Sequence, residues 1–214
     1  MSSIDFNETA KIRKFIFQDM KRSDLMDVYY SYWLELENNL LGNSGENLLE
    51  KFFVDYLTIQ NSGRITKPEN LMKDFLDFYQ KVTKFQEKEN VLKNIYRYSV
   101  YYIQICNGRI SDEKIKEKID IINSHNAKDA YPFLMEVFED YDFAHINKNM
   151  LLDILNTVIG FIEERNSKNP SQMAVSFAGL SDEINKMMIL KDYMPRFIAE
   201  PDEDSKAVTI NQLS

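Results

Sequence analysis

Five cations crowd into one short stretch of an otherwise acidic chain: Lys11, Arg13, Lys14, Lys21 and Arg22, opposed between them only by Asp19. Lys and Arg at this density can meet phosphate oxygens or an acidic partner surface, or simply solvate one face of a helix. These five are the candidate nucleic-acid-contacting residues, with Arg13 and Lys14 foremost. Tyr29 and Trp33 stand one helical turn apart. Such a pair can stack on a base, but its place on an apolar stripe favours core packing.

The other chemistry-bearing residues are scattered. His125 sits in the polar run Ser124-His125-Asn126 and His145 in Phe143-Ala144-His145-Ile146, both between expected helices. Neither lies one helical turn from another ligand. A zinc site needs about three or four N or S ligands at workable spacing, so no metal and no cofactor is expected. Cys106, the single cysteine, ends the apolar run Tyr101-Tyr102-Ile103-Gln104-Ile105. It reads as a buried structural thiol with no base at hand. Helical RNases of the HEPN type place a His four to six positions after an Arg, and neither His here has an Arg in that window. No glycine-rich loop resembles a phosphate cradle or a dinucleotide fingerprint. Glu136, Glu139, Asp140 and Asp142 read as a solvated helix face. Asp112, Glu113 and Lys114 fall within one helical turn, which rules out a nuclease-like set drawn from paired strands. No catalytic set is recognisable.

The totals narrow the class. The chain has 214 residues, enough for one sizeable core or two smaller ones. Hydrophobic residues make up 44% and charged residues 28%, a globular mix rather than a disordered one. With 14 Phe and 12 Tyr, the core should be aromatic. Only 6 Gly and 5 Pro in this length favour helices over many short strands. A net charge of −8 repels a phosphate backbone on average, so any nucleic-acid contact must be local. A lone cysteine fits a reducing compartment. No apolar run is long enough to span a bilayer, and the first residues lack the form of a signal peptide. The expectation is a cytoplasmic, all-α protein without membrane contact.

The elements that must position these residues follow from apolar spacing. Ile12, Phe15 and Ile16 predict a helix over 7–20. After a Ser23 cap, Leu25, Val28, Tyr29, Tyr32, Trp33, Leu36 and Leu40 form a stripe at steps of three and four, ending near the turn cluster at 42–45. Leu49, Phe52, Phe53 and Tyr56 mark the next helix, closed at 61–63. Thr66-Lys67-Pro68-Glu69 has the form of a capping box. It precedes a helix carrying Leu71, Phe75, Phe78, Tyr79 and Val82. Val91, Ile95, Tyr98, Tyr102 and Ile105 define a helix apolar on its flanks as well, hence central, and Asn107-Gly108 closes it. Ser111, Asp129 and Asn147 are expected to cap three further helices. Their inner faces are Ile115/Ile119/Ile122, Leu134/Val137/Phe138/Tyr141 and Leu151/Leu155/Val158/Ile159/Ile162. A restart near Ser181 and a short alternating run at 207–210 complete the pattern. The sum is an irregular bundle of about eight to ten helices. It divides into helical subdomains at 1–84 and 85–198, joined by the polar stretch 84–90, with a polar tail at 199–214.

One ordered set of segments resembles a known family. Lys11-Ile12-Arg13-Lys14-Phe15-Ile16-Phe17 is followed by Tyr29-x-x-x-Trp33-x-x-x-Glu37, then Phe53-Val54-Asp55-Tyr56-Leu57-Thr58-Ile59 and Gly63-Arg64-Ile65. Ala130-Tyr131-Pro132-Phe133-Leu134, Ile154-Leu155 and Ile162-Glu163-Glu164-Arg165 come later. Over roughly residues 5–180 the set resembles the helical region of GmrSD-type proteins, modification-dependent type IV restriction endonucleases and related phage-defence proteins. Such proteins carry a ParB-like domain with an Asp-Gly-Gln-Gln-Arg motif and often an HNH-type nuclease domain, and this chain contains neither pattern. Where the family often has two adjacent arginines, the chain has Glu164-Arg165. The resemblance implies a non-catalytic helical domain that links a nucleotide-hydrolysing domain to a nuclease domain and contacts DNA. Its partners would be DNA and the other domains of a parent protein. Two other readings compete: a stand-alone helical interaction module of antitoxin, immunity or adaptor type, and an enzyme whose site has no recognisable motif.

Overall fold

A computed structural model describes residues 8–18, 27–40, 48–61, 66–85 and 87–167. Among them the chain is all-α, with no strand. Eight helices follow in order: α1 Glu8–Phe17, α2 Leu34–Leu40, α3 Leu48–Gln60, α4 Leu71–Val82, α5 Lys88–Asn107, α6 Glu113–Ser124, α7 Tyr131–Asp142 and α8 Lys148–Ser167. None is long and apolar enough to cross a membrane. The Ser23 cap, the turn at 42–45, Gly63, the restart at Ser181 and the run at 207–210 lie outside the described residues.

Among the described residues the backbone forms two compact units, one up to residue 103 and one from residue 104 on. The division falls inside α5 rather than in the polar stretch 84–90. Helix α5 buries residues along most of its length, from Val91 to Ile105.

In the first unit, aromatic rings make the core, as the composition requires. Phe52, Phe53, Tyr56 and Phe75 are fully buried. Phe75 of α4 meets Phe53 of α3 edge-on at 6.0 Å and stacks on Tyr79 at 5.6 Å. Phe15 of α1 points its edge at Phe75 and Tyr79, at 6.4 and 5.4 Å. Ile12 and Ile16 complete the buried face of α1. Such ring pairs add about 0.5–1.5 kcal/mol each beyond the area they bury. They hold α1 against α3 and α4.

The start of α4 departs from the capping box. Pro68 pushes the residue before it out of the helical region, and Lys67 is extended at φ −92°, ψ 146°. The chain then makes a 3₁₀ turn, Pro68–Asn70, before α4 begins. Thr66 is spent on the end of α3 instead. Its amide donates to the Thr58 hydroxyl oxygen at 3.1 Å, and its own hydroxyl oxygen accepts from Asn61 Nδ2 at 3.4 Å.

The second unit rests on α6, α7 and α8. Ile115, Ile119 and Ile122 face inward on α6, and Leu151, Ile154, Leu155 and Val158 on α8. Helix α7 is buried over every residue from Tyr131 to Phe138, Glu136 included, so Glu136 is not on a solvated face. Tyr131 Oη donates to Asn123 Oδ1 at 2.8 Å, and Asn123 Nδ2 donates to the Ile105 carbonyl at 2.8 Å. That carbonyl is one of the last four of α5, which have no partner within their own helix. Gly108 ends α5 with φ +59°, a backbone that favours glycine, and an added Cβ there would meet Asp120 Oδ1 at 2.8 Å.

Caps differ from expectation in two of three places. Asn147 caps α8, accepting from the Met150 amide at 3.1 Å. For α6 the cap is Asp112, one residue beyond Ser111, because its carboxylate reaches the amides of Lys114 and Ile115 at 3.1 and 3.3 Å. Ahead of α7 the chain makes a 3₁₀ turn, Lys128–Ala130, so the cap position falls to Ala130 and no side chain fills it.

Asp112 also pairs with Lys148 at the start of α8. The Lys148 hydrogen bond, aided by the two amides, holds the Asp112 carboxyl below the usual carboxylate range. A depressed folded-state pKa contributes stability above the unfolded pKa and loses it as pH falls through the folded value. Asp112→Asn keeps an amide acceptor for the cap but loses the ion pair, whereas Asp112→Ala loses both. Thermal melting at pH 7 should rank wild type above Asp112→Asn above Asp112→Ala. Equal melting of the two variants would remove the capping role.

Candidate nucleic-acid interface

Helix α1 carries two faces. One is apolar and docks on α3 and α4. The other presents the basic residues to solvent, since Lys11, Arg13 and Lys14 are all exposed. Together these three line one cleft of about 650 Å³, with Phe15 and Phe17 of α1, Gln18 just after it, Met72 of α4 and Tyr29. This lies within the range of about 300–1,000 Å³ typical of small-ligand sites. Lys21 and Arg22 lie outside the described residues.

The cations are not equivalent. Lys11 pairs with Glu8 one turn earlier. Arg13 Nη1 donates to Glu37 Oε1 of α2 at 3.2 Å, and Glu37 is the more buried of the two. Arg13 thus joins α1 to α2 as well as facing the cleft. Lys14, exposed, has no side-chain partner among the described residues. It is the cation most available to an incoming anion.

The aromatic side of the cleft depends on a local irregularity. Tyr29–Trp33 is a π-helical turn, closed by the Leu34 amide donating to the Tyr29 carbonyl, five residues back. A π turn widens the helix by one residue. The buried positions therefore run Val28, Trp33, Leu36, Leu40, with a step of five in place of three or four. Tyr29 and Tyr32, expected inward, are left half-buried, and Tyr30 is 54% exposed. Trp33 is core, as its stripe position suggests, and stacks on Phe53 at 6.1 Å. Tyr29 is instead a cleft residue.

From Trp33 outward the rings form a continuous row. Trp33 and Phe17 meet edge-on at 5.7 Å, Phe17 and Tyr29 at 5.5 Å, and Tyr29 and Tyr30 at 5.6 Å. The row leads from the buried Trp33 to the exposed Tyr30. Sequence reading gave Phe17 no role beyond its place in the segment Lys11 to Phe17, and did not single out Met72. Phe17 follows Ile16 by one step around the helix, off the inner stripe, and that offset is the signal that could have found it.

Neither histidine joins this site. Both are exposed, and His145 Nδ1 lies 2.9 Å from Asp140 Oδ1 in the loop before α8. Cys106, expected to be buried, is half-buried. Among the described residues no three His, Cys, Asp or Glu side chains are grouped to hold a metal ion.

Comparison of the chain with protein-family models, with curated proteins and with solved structures returns no match in any of the three.

Proposed function

We propose that this chain is a non-catalytic helical domain of a GmrSD-like restriction or phage-defence protein, and that it contacts DNA through the α1 cleft. In that setting it links a nucleotide-hydrolysing domain to a nuclease domain. One observation carries the DNA contact: Lys11, Arg13 and Lys14 converge on one cleft beside half-exposed rings, against a net charge of −8 for the chain as a whole. The ordered segments from Lys11 to Arg165 support the family reading.

The test is a salt titration of DNA binding. Each phosphate contact contributes a slope of about 0.9 in the log–log plot, so three contacts give a slope near −3 from about 50 to about 200 mM salt. Wild type should show that slope, and Lys11→Ala/Arg13→Ala/Lys14→Ala should flatten it and abolish most binding. Absence of binding at the lowest salt would end the DNA reading.

A further inference from the structure

We infer that the α1 cleft takes an unpaired nucleotide unit, with the base against Phe17 and Tyr29 and the phosphate at Lys14. This rests on the reading of the cleft as a nucleic-acid contact and names what enters it.

Three features point to a base rather than to duplex backbone alone. First, the site is a cleft, not a flat basic face. Duplex phosphates need only exposed cations, whereas here the cations line an open cleft of about 650 Å³. Second, its inner wall is aromatic. Phe17 and Tyr29 are both half-buried and meet edge-on, with planes 70° apart, so each keeps ring surface that the other does not cover. Base–aromatic stacking is the main sequence-tolerant term in single-strand binding. Third, the π turn positions Tyr29. In a regular α-helix Tyr29 would share the buried stripe with Val28 and Trp33. The inserted residue turns it out to the cleft and leaves Tyr30 exposed, edge-on to Tyr29 at 5.6 Å. A π turn gives up regular helix geometry, and such turns recur at functional sites.

The charge pattern selects Lys14 as the anchor for the phosphate of that unit. Lys11 and Arg13 already have carboxylate partners in Glu8 and Glu37. Lys14 alone of the three has none among the described residues. A nucleotide can come as part of a single strand or as a free mononucleotide. The shared chemistry is a stackable base joined to a phosphate.

The experiment compares three probes on the full chain by fluorescence anisotropy or calorimetry: a dT oligonucleotide of about 12 residues, a duplex of equal length, and thymidine monophosphate. Phe17→Ala and Tyr29→Ala should each weaken single-strand binding by about tenfold or more. Tyr29→Phe should retain it, since the ring remains. Tyr30→Ala and Lys14→Ala change exposed residues, report on the ring beside Tyr29 and on the phosphate without threatening the fold, and should each weaken binding several-fold. Thermal melting of every variant separates lost contacts from lost structure. Single-strand binding with this pattern supports the inference, and the same pattern with the monophosphate supports it with a free nucleotide as the source. Duplex binding that the cation changes abolish but Tyr29→Ala, Tyr30→Ala and Phe17→Ala leave intact would overturn the inference and leave the DNA contact standing. Binding of no probe would overturn both.

Discussion

Replacing Phe75 by Ala is expected to lower the stability of the first unit by about 3–5 kcal/mol. Phe75 has no exposed surface. Its ring contacts Phe15, Phe53, Phe78 and Tyr79, and so touches helices α1, α3 and α4 at once. Removing it leaves a void bounded by stiff rings that cannot collapse into it, and loses four ring–ring contacts together. The chain has a single tryptophan, Trp33, which stacks on Phe53 in the same cluster. Tryptophan emission during urea denaturation therefore reads this unit directly. The midpoint should fall sharply for Phe75→Ala. Phe85→Ala, at an 85% exposed position, should stay within about 0.5 kcal/mol of wild type. A small shift for Phe75→Ala would mean that the cluster is not the core of that unit.

Asp55→Asn is expected to stabilise the protein at alkaline pH and to flatten its pH dependence. Asp55 lies on α3 between buried positions, and burial pushes its carboxyl up from 3.8 to about 8. The sign follows from linkage. Between pH 4 and pH 8, roughly, the folded protein holds a proton at Asp55 that the unfolded chain has released. Stability from this group is therefore full below the unfolded value, falls as pH rises through that window, and is flat above it. Asn resembles the protonated form and carries no charge to desolvate. Each pKa unit corresponds to about 1.4 kcal/mol. Asp55 is only half-buried, and residual solvent screening reduces the gain at pH 9 to about 2 kcal/mol. Urea denaturation of both proteins at pH 5 and pH 9 measures it. If their stabilities changed in parallel with pH, the carboxyl would not be the titrating group.

These two residues also show how far the chain can be read before it folds. Phe75 was legible, because Leu71, Phe75, Phe78 and Tyr79 recur at helical spacing and such a stripe has nowhere to go but inward. Asp55 was not. It sits between Val54 and Tyr56 in an apolar segment, and spacing alone does not say how much water a neighbouring helix will remove from one carboxylate. Glu136 failed in the same way. Next to Glu139, Asp140 and Asp142 it looks like one more solvated acid, yet α7 is enclosed on all sides where Glu136 stands.

The candidate site divides likewise. The cations of α1 were visible as a cluster, and their exposure followed from the apolar face opposite them. The cleft was not visible. It needs Met72 from a helix more than fifty residues away, and it needs Tyr29 turned outward. Helical periodicity assumes a constant turn, so a single inserted residue in Tyr29–Trp33 shifts every assignment across it.

Local pattern was enough for the all-α class, for the inner faces of most helices and for the closing role of Gly108, because each depends on residues within a turn or two of one another. The pairing of Arg13 with Glu37, the outward turn of Tyr29 and the desolvation of Asp55 belong to the folded chain. Each depends on groups distant in sequence or on a departure from ideal helix geometry, and neither is encoded in the spacing of neighbouring residues.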